Sequence, residues 1–245
     1  MTQPQTSHAD KKPQPGRVLF FGRHQCDATQ AALARLRSLG FEVSFVTSKG
    51  RGESLPAEVD AWTGDYIFCF RSLFVLPRRV LEKAGTAAIN FHPAPTEYPG
   101  SGCLNFALYD GARDYGVTAH LMNEKVDNGR ILECRRFPIL ASDTVDSLLE
   151  KTHRKLLELF LDVAAGVAGQ GRVYIDACLE KSKGERWRGE ALKMSALEKL
   201  KTIAPDVDAA ELDRVVRATY TEMYPPRVIL HGYEFVLKSP KKIIS

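Results

Sequence analysis

Short apolar runs alternate with helix-period segments through the first half of this chain. Residues 17–22 are an apolar run closed by Gly22, as a buried parallel strand is. Asp27 can cap the helix that follows, in which Ala31, Leu33, Leu36 and Leu39 recur at helical spacing before Gly40 stops it. Residues 41–47 alternate and are rich in β-formers, residues 66–70 are another buried run, and Pro77 opens a short helix carrying Val80 and Leu81. Residues 86–91 form a further strand that runs into His92 and Pro93. Repeated strand–helix–strand units of these lengths predict an α/β fold with a doubly wound, mostly parallel sheet.

A Pro/Gly-rich loop over 93–102 leads to a helix near 104–109. Residues 117–122 and 131–137 then alternate like a strand pair joined by a tight Asp127-Asn128-Gly129 turn. Ser142-Asp143-Thr144 opens a long amphipathic helix through Leu148, Leu156, Leu157, Phe160 and Val163, predicted to fray from Gly166 to Gly171. Beyond residue 172 the segments are short: a polar stretch over 181–190, a helix near 209–219 and a hairpin over 227–237. The expected organisation is a disordered leader over 1–16, a main domain over 17–171 and a small C-terminal subdomain over 172–245.

Composition narrows the class. Of 245 residues, 44% are hydrophobic and 26% charged, enough apolar content for a real core. No run of about 18 apolar residues exists to span a membrane, and the polar leader has no hydrophobic centre that would make it a secretory signal. The five cysteines form no CxxC pair, which argues against a disulfide framework or a zinc site, so we expect no metal and a cytoplasmic setting. The net charge of +4 suits an anionic ligand without demanding a nucleic-acid partner. The basic cluster Lys181, Lys183, Arg186 and Arg188 reads as a solvated face.

Ligands of open α/β sheets sit beyond the carboxyl ends of the strands. Asn90 and His92 stand at such an end, and period-two alternation turns both side chains to one side. A histidine there either caps the strand or serves chemistry, and position alone leaves both open. Asp127 is what a turn prefers before Asn-Gly, and His120 is either a half-buried strand histidine or a supporting group.

Taken in order, however, Asn-x-His, then Pro and a glycine loop, then Gly-Val-Thr-x-His, then Val-Asp-Asn-Gly resemble the folate-dependent formyltransferases. That resemblance implies a formyltransferase-like, Rossmann-type fold and catalytic roles for Asn90, His92 and Asp127, with Asn128 departing from the family's usual Thr or Gly. It implies N10-formyltetrahydrofolate as co-substrate, clasped by the backbone and aliphatic side chains of a loop with Arg71, Phe74, Val75 and Leu76 on one side and by the backbone of Met122, Glu124 and Val126 on the other. The chemistry fits these residue types. Attack of an uncharged amine on the formyl carbon develops an oxyanion, for which the Asn90 amide is a donor that cannot lose its proton. Protonated His92 can add a charged donor and relay a proton, while Asp127 orients it and favours its protonated form. A Cys–His nucleophilic enzyme is the alternative class, with Cys103 as the nearest thiol.

Within the resembled family, the Gly-x-Gly-Ser-Asn phosphate loop of the glycinamide ribonucleotide enzymes is replaced here by Gly22-Arg23-His24-Gln25-Cys26. The loop after His92 lacks the paired arginines of the methionyl-tRNA enzymes, and the stretch after residue 172 leaves little room for their C-terminal barrel. The resemblance therefore points to the sugar-nucleotide N-formyltransferases, with a nucleotide-linked amino sugar as acceptor. Tyr98 and Asn105 are the expected sugar contacts and Arg23 the expected pyrophosphate partner. No nucleic acid and no membrane are expected as partners, and a homodimer is compatible. A non-catalytic module that binds folate or nucleotide is the remaining alternative.

Overall fold

The computed structural model describes residues 15–241, so the expected leader lies, but for its last two residues, outside the described residues. The chain begins β1 (Arg17–Arg23), α1 (Asp27–Ser38), β2 (Glu42–Ser48), α2 (Glu58–Ala61), β3 (Gly64–Phe70), α3 (Arg78–Leu81) and β4 (Ala84–His92). It continues α4 (Cys103–Tyr109), β5 (Asp114–Leu121), β6 (Ile131–Pro138), α5 (Val145–Gln170) and α6 (Arg172–Lys181). It closes with α7 (Met194–Lys201), β7 (Thr202–Ile203), α8 (Ala209–Thr219), β8 (Arg227–Leu230) and β9 (Tyr233–Val236). The main sheet has the order β2-β1-β3-β4-β5-β6. Its first four strands are parallel, and β5 and β6 are antiparallel additions. This is the mostly parallel α/β architecture that the alternation of elements predicts.

Period-two alternation sorts the strand residues between two cores, one on each face of the sheet. Val18, Phe20, Tyr66, Phe68, Phe70, Ile89 and Phe91 face the larger core, which α1 and α5 cover. Leu19, Phe21, Ile67, Cys69 and Ala88 face the smaller one, closed by Val59 of α2 and Val80 of α3. Phe160 of α5 is fully buried against the larger core, its ring 4.7 Å from that of Phe91 and 5.0 Å from that of Phe70. On β4 the pattern continues past Ala88 to Asn90 and His92, so both belong to the face of the smaller core, beyond its apolar filling.

Thr144 caps α5 reciprocally with Ser147, as the Ser-Asp-Thr run predicts. The predicted fraying from Gly166 is corrected, because α5 continues to Gln170. Gly166 leaves room for the Tyr174 ring, which a Cβ would meet at 2.3 Å. The break comes only at Gly171, whose φ of +56° turns the chain into α6. Ile175 and Leu179 of α6 and Ala218 of α8 join the larger core, α6 packing beside β6 and α8 against α4. The predicted hairpin is β8–β9, turned by His231 and Gly232, both at positive φ, beside the short strand β7. No helix among the described residues is long and apolar enough to cross a membrane.

Candidate active site

β4 ends by presenting Asn90, half-buried, and His92, 3% exposed. β5 pairs antiparallel beside it and sets His120 directly opposite Asn90. Asp127 arrives from the connection between β5 and β6, residues 122–130, in which it begins the predicted Asp-Asn-Gly turn. Met122 N–H donates to Ala88 O, drawing the connection back over β4, and Leu121 N–H closes it on Arg130 O. Asp127 holds a φ of +45°, and a Cβ on Gly129 would lie 1.7 Å from Leu121 O. Only glycine fits there, and that constraint brings Asp127 back to the strand ends.

The three predicted catalytic residues therefore meet, and His120 meets with them. Asp127 Oδ2 is 3.2 Å from His92 Nδ1 and accepts from Gly100 N–H at 2.9 Å. Asp127 Oδ1 is 3.3 Å from both His120 Nε2 and Asn90 Nδ2. His92 Nε2 donates to the Tyr98 carbonyl at 2.9 Å, so both ring nitrogens of His92 face acceptors, an arrangement that only the imidazolium satisfies in full. His120 Nδ1 donates to Leu121 O at 2.9 Å. Its Nε2 lies 3.1 Å from Asn90 Nδ2 and faces Asp127 Oδ1 as well. Burial opposes ionisation of Asp127. The charge of His92, the hydrogen bond and charge of His120 and the Gly100 N–H outweigh it and hold the carboxyl down at about 2. Asp127 is thus a fixed anion and a weak base.

The thiol alternative finds no support in this geometry. Cys103 Sγ lies 3.8 Å from His92 Nε2, but it bonds the Gly100 carbonyl, and burial, helped by the charge of Asp127, pushes it up to about 12. A thiol so held is not a nucleophile. Among the described residues no group of three or more His, Cys, Asp or Glu is placed to hold a metal ion.

The two loops expected to clasp a folate stand side by side, joined by an ion pair of 3.0 Å between Arg78 and Glu124. Val75 and Val126 are exposed on them, at 73% and 50%. Phe74 and Leu76 are both buried in the smaller core, Phe74 edge-on to Phe21, so their side chains serve packing and leave any clasp to their backbone. Met122 is partly buried against the same core. Arg71, at a φ of +57°, bonds Cys26 Sγ and lies with Arg23 near His153. Burial and the charge of those two arginines hold His153 down at about 4, hence neutral.

Two expected sugar contacts are corrected as well. Asn105 donates to Ala218 O at 2.7 Å, tying α4 to α8. The Tyr98 side chain packs on Tyr115 and bonds Asp110, so only its backbone carbonyl joins the site.

What sequence reasoning missed lies in the polar stretch after α6. Trp187 sets its indole edge-on to His120 and His92, at 5.0 Å and 5.6 Å between ring centroids. With Arg130, Lys183 and Arg186 it also lines a cavity of about 360 Å³ beside the Asp127 connection. A single large aromatic residue between charged neighbours is the one signal that could have marked it.

A family model described as formyl transferase matches residues 16–164. Methionyl-tRNA formyltransferase of Listeria welshimeri is 35% identical over 119 residues, 48% of this chain and 38% of that protein, so the match spans well under half of the relative. GDP-perosamine N-formyltransferase of Brucella melitensis is 24% identical over 204 residues, 81% of this chain and 71% of that protein. Among solved structures, a sugar N-formyltransferase from a Shewanella species superposes with a TM-score of 0.69 at 16% identity, covering 94% of this chain and 99% of that one.

Proposed function

The chain belongs to the formyl transferase family, and from that premise we propose that it transfers a formyl group from N10-formyltetrahydrofolate to the amino group of a nucleotide-linked amino sugar. The observation that carries this reading is Asp127, a buried carboxylate held ionised between His92 and His120 with the Asn90 amide on the same oxygen. The folate supplies an activated formyl carbon, and the two loops joined by Arg78 and Glu124 are its seat, with Val75 and Val126 as the exposed apolar contacts.

Each residue then has a physical task. Asn90 donates to the formyl oxygen as that oxygen gains charge, giving up its longer contact, the one to Asp127. Asp127 accepts a hydrogen bond from the incoming amine and neutralises the ammonium that develops as the new C–N bond forms. At a pKa of about 2 it orients that group rather than keeping its proton, which ends on the departing folate nitrogen. His92, bonded at both nitrogens, is held rigidly beside the anion and orients it. Arg23 and Arg71, close together at the ends of β1 and β3, form a cationic corner suited to a diphosphate.

The Brucella relative, a GDP-perosamine N-formyltransferase matched over most of both chains, favours an amino sugar linked to a nucleoside diphosphate; within that class our reading is a 4-amino-4,6-dideoxyhexose destined for surface glycans such as O-antigen. The Listeria match favours a second reading, formylation of charged initiator tRNA. A direct assay separates them: the full chain with N10-formyltetrahydrofolate and each acceptor, read by mass. Product from the tRNA and none from the amino sugars would overturn the first reading.

A further inference from the structure

The geometry points to Trp187 as a positioning residue of the catalytic cluster, carried on a strap, residues 185–192, that ties two catalytic loops together. The inference rests on the formyl-transfer reading above and extends it to a part of the chain beyond the family-matched residues 16–164.

Two pieces of backbone complete the cluster, and both fall outside the strands. The first is 98–100, whose Tyr98 carbonyl accepts from His92 and whose Gly100 N–H donates to Asp127. The second is the turn 127–129, which presents Asp127 itself. The strap bonds both. Arg188 N–H donates to Thr96 O, Leu192 N–H to Pro99 O, and Ser101 N–H to Leu192 O. From the same strap Trp187 Nε1–H donates to Gly129 O at 2.8 Å. The approach is so close at Gly100 that a Cβ there would lie 2.4 Å from both Leu192 N and Leu192 O. Glu185 anchors the start of the strap, accepting from Thr96 Oγ1 at 2.5 Å and from both terminal nitrogens of Arg136 at 3.0 Å and 2.7 Å.

The indole then fixes what the backbone cannot. His120 must keep Nε2 aimed at Asn90 and Asp127, and a ring flip would end both contacts. Trp187 packs edge-on against that ring at 85° and against His92 at 71°, filling the space a flip would need. Core packing does not explain the residue, since Trp187 is only half-buried and lies between exposed Arg186 and Arg188. Its contacts are with the cluster.

The test compares Trp187→Ala, Trp187→Phe and Glu185→Gln with the wild-type full chain. One arm measures kcat and KM with the amino-sugar nucleotide that the wild type accepts. The other reads the ring-proton NMR signals of His92 and His120, which a neighbouring indole displaces. Trp187→Ala should lower kcat on the order of tenfold to a hundredfold, the scale set by slight misplacement of catalytic groups, with KM for the formyl donor within about twofold. Trp187→Phe keeps a ring but loses one neutral hydrogen bond, so its loss should be only roughly twofold to tenfold. Glu185→Gln should lower kcat in the same direction. Both histidine signals should move in Trp187→Ala. That arm is readable even if the wild type formylates no acceptor offered, so failure of the formyl-transfer reading is distinguishable from failure of this one. Full kcat in a folded Trp187→Ala protein, or a raised acceptor KM with kcat intact, or unmoved histidine signals would overturn the assignment.

Discussion

Replacing Asp127 by Asn removes one charge and keeps the shape, which makes it the most informative single change. The carboxylate faces His92 at 3.2 Å and His120 at 3.3 Å and is 7% exposed, so little solvent screens it. Its depression from 3.8 to about 2 corresponds to roughly 2–3 kcal/mol favouring the ionised folded state. The folded-state pKa lies below the unfolded one. This stability is therefore present in full above the unfolded value and is lost as pH falls through the folded value. Asp127→Asn should then be about 2–3 kcal/mol less stable than wild type near pH 7, and the gap should shrink to about half near pH 3. Urea unfolding of both proteins at the two pH values measures it. In the formyl-transfer assay the same variant should lose about a hundredfold or more in turnover, with little change in folate affinity. Equal stability near neutral pH, or a gap that widens in acid, would refute the electrostatic account of the cluster.

Other outcomes follow from other parts of the structure. His92→Asn should lower kcat by about a hundredfold, because it removes the imidazole that bridges Asp127 and the Tyr98 carbonyl; steady-state kinetics checks it. Cys103→Ala should keep turnover within about tenfold of wild type, against the orders of magnitude expected of a lost nucleophile. Gly100→Ala should cost more than about 1 kcal/mol by thermal unfolding and cut activity, since a side chain at φ +93° is strained and meets the strap backbone. Phe160→Ala should cost about 3–5 kcal/mol in denaturant unfolding, because it empties the centre of the aromatic core behind β4.

The parallel half of the fold was legible because its strands are buried on both faces and its helices carry plain start and stop residues. The candidate cluster was legible in part for a different reason: Asn90 and His92 share a strand end, so alternation places them together, while the role proposed for them came from the family resemblance. Asp127 was joined to them only by the family resemblance, because Asp before Asn-Gly reads by itself as a turn residue. The side-chain directions of Tyr98, Asn105, Phe74 and Leu76 were not legible, because position beside a site does not fix them. Asn105 faces Ala218 of α8 and Phe74 faces Phe21 of β1, partners far from them along the chain. Trp187 was hidden for the same reason, since its strap pairs with loop 96–101 across about ninety residues, a contact no local pattern announces.

The central claim is that this cluster moves a formyl group onto an amino sugar carried by a nucleotide. The measurement that tests it most directly is mass analysis of the purified chain incubated with N10-formyltetrahydrofolate and a panel of nucleoside-diphosphate-linked 3-amino and 4-amino dideoxyhexoses. Free amino sugar, glycinamide ribonucleotide and charged initiator tRNA serve as comparison acceptors. The account predicts a formylated sugar nucleotide that appears with wild type and not with Asp127→Asn, and little or no product from the other acceptors. Formylation of the free sugar as efficiently as of its nucleotide, or of glycinamide ribonucleotide or tRNA in preference to the panel, would contradict it.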